Sequence, residues 1–363
     1  MKLDRIEVRG FKSIRELDLE LRPLNVLIGA NGAGKSNFLS VFKMLSEMMH
    51  ERLQLFVSQA GGANALLHFG EKVTSELEIA LSFGLDQYRS ILVPTAADAL
   101  TFAKEECVVL MHPSTEPTAV GMGSGHYESR LLNAPVFPTY HATAGVSSRI
   151  RSFKIYHLHD TSDSALVKKS GAINDNLYLR PDGSNLAAYL YRLRHSALPQ
   201  YEAIRDTVRL AAPFFDDFLL RPLPDNTDRI RLEWREPGSD FPFLAHQLSD
   251  GSLRFICLAT LLLQPAPPEV ILIDEPELGL HPYAINLLAS LIRSAATRTH
   301  LIVSTQSSSL VNEFEPEDLL IAERHDRATT ITRVEPDKLN EWLEEYSLGE
   351  LWEKNVLGGR PSR

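Results

Sequence analysis

The sequence predicts an α/β fold: a mostly parallel central sheet covered by helices, an antiparallel β-subdomain at the N-terminus and a helical subdomain. Three observations carry this. In the last third, "EVILIDE", "AINLLASLIRSAA" and "HLIVST" follow one another as apolar strand, amphipathic helix and apolar strand, the order from which parallel sheets are built. At the start, "LDRIEV" and "IRELDLEL" alternate apolar and polar residues, the period of half-buried strands. Residues 184 to 212 carry helical spacing instead.

Taken in order, the two opening runs read as an antiparallel pair around the turn "RGFKS". "LNVLIG" is a short buried strand. From Ser36, the residues Phe38, Leu39, Phe42, Leu45 and Met49 recur at helical spacing, the mark of a core-facing helix. "SQAGGANALLHFGEK" reads as a glycine-bearing loop. "ELEIALSFG", "QYRSILV", "ECVVLM" and "FKIYHLH" read as strands, with an exposed loop near 112 to 126, rich in Pro, Gly, Ser and Thr. Two helices, "NLAAYLYRLRH" and "YEAIRDTVRLAA", are expected on either side of Pro199. "FLLRPL" and "RIRLEW" suggest another strand pair, and "DLLIAER" and "TTITRV" the last strands. The tail "KLNEWLEEYSLGELWEKNVLGG" is acidic and amphipathic, and its Trp342, Leu343, Tyr346, Leu351 and Trp352 are expected to dock on the chain's own body. The expected division is an N-terminal lobe over 1–158, a helical or inserted region over 159–245, a C-terminal lobe over 246–335 and the tail over 336–363.

The 363 residues are 44% hydrophobic and 23% charged, enough to bury a sizeable core. Two distant cysteines, Cys107 and Cys257, make neither a disulfide framework nor a metal cluster, which suits a reducing cytoplasm. "MKLDRIEVRG" lacks an apolar leader, and the longest apolar run is too short to span a bilayer. The formal net charge of −10 argues against a surface built throughout for DNA. Arg149, Arg151 and Lys154, and Arg192, Arg194 and His195, form local basic clusters, more often solvated faces than binding patches.

"GANGAGKS", Gly29 to Ser36, matches G-x-x-x-x-G-K-[ST] after a buried strand and before a helix, as a phosphate-binding loop requires. A chance match in a chain of this length is on the order of 1%. Gly29, Gly32 and Gly34 let backbone N–H groups turn toward an anion, and the helix N-terminus adds partial positive charge. Lys35 is placed to reach the β- and γ-phosphates and the Ser36 hydroxyl to ligate Mg²⁺. Asn31 and Asn37 complete the expected nucleotide-contacting set.

"EVILIDEPELGLHP" ends an apolar strand in Asp274 and Glu275, where an α/β sheet presents its ligands. Asp274 is a candidate Mg²⁺ ligand and Glu275 a candidate general base for an attacking water. "HLIVSTQSSS" ends a third strand near Gln306, positioned to bond a γ-phosphate or that water; the plain alternative is a polar turn. "LSDGS" precedes a buried helical run. Ser249 and Asp250 are ordinary N-cap residues, yet Ser249 and Gly251 also offer a hydroxyl and an N–H at a second helix N-terminus. The remaining side of a γ-phosphate would be covered by the same physics. His157, His159 and Asp160 in "YHLHDTS" suggest a metal site, but alternating residues on a strand face opposite ways, so the two histidines are not expected to share an ion.

The order of these motifs resembles the ABC-type P-loop ATPases: Walker A, a long middle, a signature in the place of "LSGGQ", Walker B and a switch residue. "IEVRGFKSI", "DEPELGLHP" and "STQS" look most like the RecF/SMC/OLD branch, and "SLGELWEKNVLGGRP" resembles the terminal pattern of short bacterial ATPases of that branch. The resemblance implies an ABC-type ATPase head that uses ATP and Mg²⁺ and closes as a head-to-tail homodimer, each signature serving the partner's nucleotide. It also implies that Lys12 and Ser13 contact the nucleotide, and that Glu275, Gln306 and Lys35 carry catalysis. Asp250 departs from the first signature glycine, Gln306 stands where many relatives have histidine, and no Q-loop glutamine can be placed beyond Gln54 or Gln59. About 30 residues follow the last expected strand, so no TOPRIM nuclease domain is expected. A separate effector chain, DNA as a partner and a role in DNA maintenance, repair or phage defence are the expectations. The alternatives are a nucleotide-gated binding module with little turnover and the ATPase subunit of a membrane transporter.

Overall fold

The computed structural model describes residues 2–109, 118–133 and 140–359. It contains two compact units: Met1–Lys154 with Pro268–Leu272 and Glu315–Arg363, and Ile155–Pro267 with Ile273–Phe314.

The first unit is built on a six-stranded antiparallel sheet in the order Ile14–Glu20, Arg5–Phe11, Leu77–Phe83, Asp86–Pro94, Leu100–Val109, Thr118–Gly123. Register follows the hydrophobic alternation: Ile6 lies opposite Leu19 and Leu81, and Val8 opposite Leu17 and Ile79, all buried. A slip of one residue would turn every one of these to water. The opposite face carries ion pairs such as Arg9 with Glu16 at 3.1 Å. The Thr118–Gly123 strand corrects the loop expected near 112 to 126. Backbone pairing to Leu100–Val109 and the buried Met122 hold it, and 112–117 lie outside the described residues. The expected loop at 58–72 contains the end of the Leu53–Gln59 helix and a short helix, Ala63–Leu66.

Also in the first unit, Leu24–Ile28, buried throughout, runs parallel to Leu319–His325. The latter pairs antiparallel with Ala328–Arg333. Asp326 and Arg327 both take positive φ, 46° and 64°, the geometry of a tight type I′ hairpin. Of these two pairings one is thus parallel and one antiparallel. The Lys35–Met48 helix buries Phe38, Leu39, Phe42, Leu45 and Met48 along one stripe. The tail forms helices Asn340–Leu343 and Leu348–Glu353. Leu348 and Leu351 are buried, whereas Trp342 is 46% exposed, so docking on the body falls to the second helix.

The second unit packs the Asp250–Leu263 helix against Leu198–Ala211 and Pro282–Ala296. The Asp250–Leu263 helix is apolar almost all round, as a central helix must be. His300–Ser304, packed against the Pro282–Ala296 helix in the same unit, is a wholly buried strand. The helical break falls at Ala197 rather than at Pro199, which sits in the first turn of Leu198–Ala211, where its missing N–H costs nothing. "FKIYHLH" is a strand only over Lys154–Tyr156. Val270–Asp274 forms as expected. Among the described residues no helix is long and apolar enough to cross a membrane.

Candidate nucleotide and catalytic site

In the first unit the phosphate-binding loop is glycine-dependent at defined points. Gly34 has φ +106°, and a Cβ there would lie 2.0 Å from the Thr329 hydroxyl oxygen. At Gly29 a Cβ would lie 2.4 Å from the Ala322 carbonyl oxygen. The loop thus nests against the last hairpin. Gly34 caps the following helix with no side-chain bond, and no acidic residue occupies the first turn, so nothing of the helix's own neutralises its positive end. The buried Lys35 ammonium donates to the carbonyls of Gly29, at 2.5 Å, and Ala30, at 3.2 Å. Asn31, Gly32 and Ser36 are exposed.

Lys12 and Ser13 reach the same helix. Lys12 Nζ donates to Ser40 Oγ at 3.1 Å, and its pKa is lowered by burial and then by Lys43. Asn37 Nδ2 donates to Ser13 Oγ at 2.6 Å, and Ser13 Oγ shares a 2.7 Å hydrogen bond with Thr329 Oγ1. The Thr329 hydroxyl is 2.8 Å from the Ala33 carbonyl. One polar network therefore ties the "FKS" turn, the loop and the hairpin together. Thr329 carries no local motif that would single it out.

The tail reaches the loop from its other end. Ala30 N–H donates to the Gly359 carbonyl at 2.7 Å, and Gly359 N–H to the Glu323 carboxylate at 2.8 Å. Gly358 and Gly359 have φ of +86° and +82°, and a Cβ on Gly359 would come within 3.4 Å of Gly29 Cα. The terminal "GG" is a backbone clamp beside Walker A.

In the second unit Glu275 follows Asp274 with φ +42°, a left-handed conformation uncommon for a residue with a side chain and one that clusters at functional sites. Its N–H donates to the Ser304 carbonyl at 2.7 Å. Gln306 Nε2 donates to the Glu275 carboxylate, bringing together the two catalytic candidates. Sequence reasoning missed Glu277. Its Oε1 accepts from the Thr305 hydroxyl at 2.5 Å and from Gln306 N–H at 3.3 Å, while Oε2 is buried without a hydrogen-bond partner. Burial raises the Glu277 pKa, against these hydrogen bonds.

The "LSDGS" segment is a true helix start. Ser249 Oγ accepts from Ser252 N–H at 3.1 Å, so Ser249 rather than Asp250 is the cap. Asp250 instead meets Lys168 at 3.5 Å. A Cβ on Gly251 would lie 2.3 Å from the Gly279 carbonyl oxygen. Ser249, Gly251 and Ser252 line a cleft with Gly279, Leu280 and His281. Gln54 Nε2 donates to the carbonyls of Leu100 and Tyr127, at 2.9 and 2.7 Å.

His157 and His159 lie just past the end of the Lys154–Tyr156 strand, so strict alternation does not apply to them. His157, His159 and Asp274 each present a ligand atom, all within 4.8 Å of one another. Asp160 is not among them; it accepts from the Ser162 hydroxyl at 2.6 Å and its N–H at 3.1 Å.

The chain is similar to known proteins over most of its length. Residues 1–123 match the family described as "AAA ATPase domain", and 137–312 the family described as "AAA domain, putative AbiEii toxin, Type IV TA system". An OLD nuclease of Thermus scotoductus is 24% identical over 99% of this chain and 68% of its own length. An SMC head bound to the C-terminal winged-helix domain of ScpA superposes with a TM-score of 0.59 at 14% identity, over 95% of this chain and all of that one. The Pyrococcus furiosus SMC head with an extended coiled coil, bound to the C-terminal domain of ScpA, gives 0.57 at 13% identity, over 95% and 99%. With ATPase families matching both stretches, an SMC-head fold and similarity to an OLD nuclease, the chain is a P-loop ATPase similar to the RecF/SMC/OLD-like branch.

Proposed function

We propose that Gly29, Asn31, Gly32, Gly34, Lys35, Ser36 and Asn37, with Lys12 and Ser13, bind Mg-ATP, and that Glu275 and Gln306 hydrolyse it. The observation that carries this is the Glu275 carboxylate, held in left-handed backbone at a strand end with the Gln306 amide donating to it. A carboxylate so fixed can take a proton from water, and the amide orients it without adding charge. Lys35 supplies the fixed positive charge for the β- and γ-phosphates. Ser36 and Asp274 offer the hard oxygen donors that Mg²⁺ prefers; bound there, the ion would offset charge on the phosphate oxygens.

Hydrolysis serves dimer closure in this reading. Ser249 and Gly251 of one copy cover the γ-phosphate held by the other. Two copies close on two ATP molecules and reopen after hydrolysis, because only the closed state grips each triphosphate from both sides. The motion is coupled to DNA maintenance, repair or phage defence through a separate effector chain. The OLD and SMC relatives support that class of role.

The test compares wild type with Glu275→Gln by phosphate release and by sizing with and without Mg-ATP. The expected variant binds ATP, loses about 10²–10⁴-fold in turnover and accumulates as a dimer. Unchanged turnover, or a variant that stays monomeric in saturating Mg-ATP, overturns the reading.

A further inference from the structure

We propose that His157, His159 and Asp274 form a binding site for a borderline divalent transition metal of the zinc class. Two imidazoles and one carboxylate present ligand atoms within 4.8 Å of one another. Around a metal at ~2.1 Å from each ligand these atoms would stand roughly 3–3.5 Å apart, an approach somewhat closer than the present separation.

The backbone is already fixed. His157 N–H donates to the Pro181 carbonyl at 3.1 Å. The buried Arg254 guanidinium, on the signature helix, donates to the carbonyls of Leu158 at 2.9 Å and His159 at 3.1 Å. Asp274 is fixed by its strand, whose next residue is tied to Ser304. Such outer contacts hold ligands in position before a metal arrives. The rings of His157 and His159 are 6.4 Å apart and tilted by 43°, so they converge without stacking.

A second observation points the same way. His159 Nδ1 is buried and has no hydrogen-bond partner. A buried polar atom of this kind carries a desolvation cost that a ligand bond removes. His157 is exposed, which leaves an entry path.

The donor set selects the metal. Imidazole nitrogen favours zinc, cobalt, nickel and iron, whereas magnesium takes oxygen and keeps its water. On the reading that Asp274 also serves the nucleotide's magnesium, a metal of this class draws that carboxylate away from Mg²⁺, and the site becomes a brake on hydrolysis.

The test uses full-length, chelator-treated protein without nucleotide, titrated with Co²⁺ and followed by visible absorption. Wild type is expected to give a d–d band saturating at one equivalent, abolished by Zn²⁺ and untouched by millimolar Mg²⁺. The His157→Ala/His159→Ala variant should bind at least tenfold more weakly, and Asp274→Asn likewise. Without metal the double variant should unfold at the wild-type temperature; should it fail to fold, His157→Ala, which removes an exposed ring, must alone show the tenfold loss. Lys35→Ala must leave Co²⁺ binding unchanged, which separates this site from the nucleotide reading. Equal Co²⁺ spectra in wild type and histidine variants, or displacement by Mg²⁺ as readily as by Zn²⁺, overturns the proposal.

Discussion

Glu277 shows how a single residue can carry an unpaid electrostatic cost. One carboxylate oxygen is hydrogen-bonded and the other is buried without a partner. Its folded pKa is raised, chiefly by burial. A raised carboxyl favours the neutral form in the folded state. Its contribution to stability is therefore greatest below the unfolded carboxylate range and is lost as pH rises through the folded value. Glu277→Gln is expected to melt higher than wild type at pH 8, with the gap closing as pH falls toward the ordinary carboxylate range. Thermal unfolding across that range measures it, and a gap that widens in acid refutes it. Glu277 was not legible in the sequence because an acid three residues into a turn looks like any other. Its partners, Thr305 and Gln306, lie on a different strand end.

At the scale of elements, two termini carry the argument. The Asp250–Leu263 helix begins on a Ser249 cap. Ser249→Ala should cost about 1 kcal/mol of stability, read by denaturant unfolding, and on the proposed function should also abolish ATP-dependent dimerisation. Loss of stability with full dimerisation would leave Ser249 a cap and nothing more. The other terminus is the tail. Gly359 holds Ala30 N–H in a left-handed conformation at φ +82°. Gly359→Ala should strain that contact by about 1–2 kcal/mol and weaken binding of a fluorescent ATP analogue by several-fold. Unchanged affinity would show that the clamp does not shape the loop. The "SLGELWEKNVLGG" pattern could be read from the sequence, but its place beside Walker A could not. Hydrophobic spacing reports which face is buried, not what it is buried against.

For the molecule as a whole, the proposed dimer makes a distinctive prediction. Lys35→Ala disables the loop that holds ATP, and Ser249→Ala disables the cover supplied to the partner. If each nucleotide is gripped by two copies, a mixed dimer contains one doubly damaged and one intact site. Mixing the two inactive variants in equal amounts should then restore up to about half of wild-type turnover, since only mixed dimers close on ATP and each has one working site of two. No recovery in a phosphate-release assay on mixed, re-equilibrated protein would mean that the sites are not shared between copies.

What the sequence determined by itself is local. Walker A, the Walker B strand end, the capped signature helix and the alternating strands of the N-terminal sheet each lie within a short contiguous run. Backbone periodicity and turn chemistry act over that same range. Tertiary structure decided the contacts between runs: Thr329 against Gly34 and Ser13, Gly359 on Ala30, Gly251 against Gly279, and the convergence of His157, His159 and Asp274. The histidines show the physical reason. A strand pattern predicts opposite faces only while the strand lasts, and where it ends is set by packing elsewhere in the chain. Side chains that meet across long sequence separations leave no periodic trace, so they become visible only once the chain has folded.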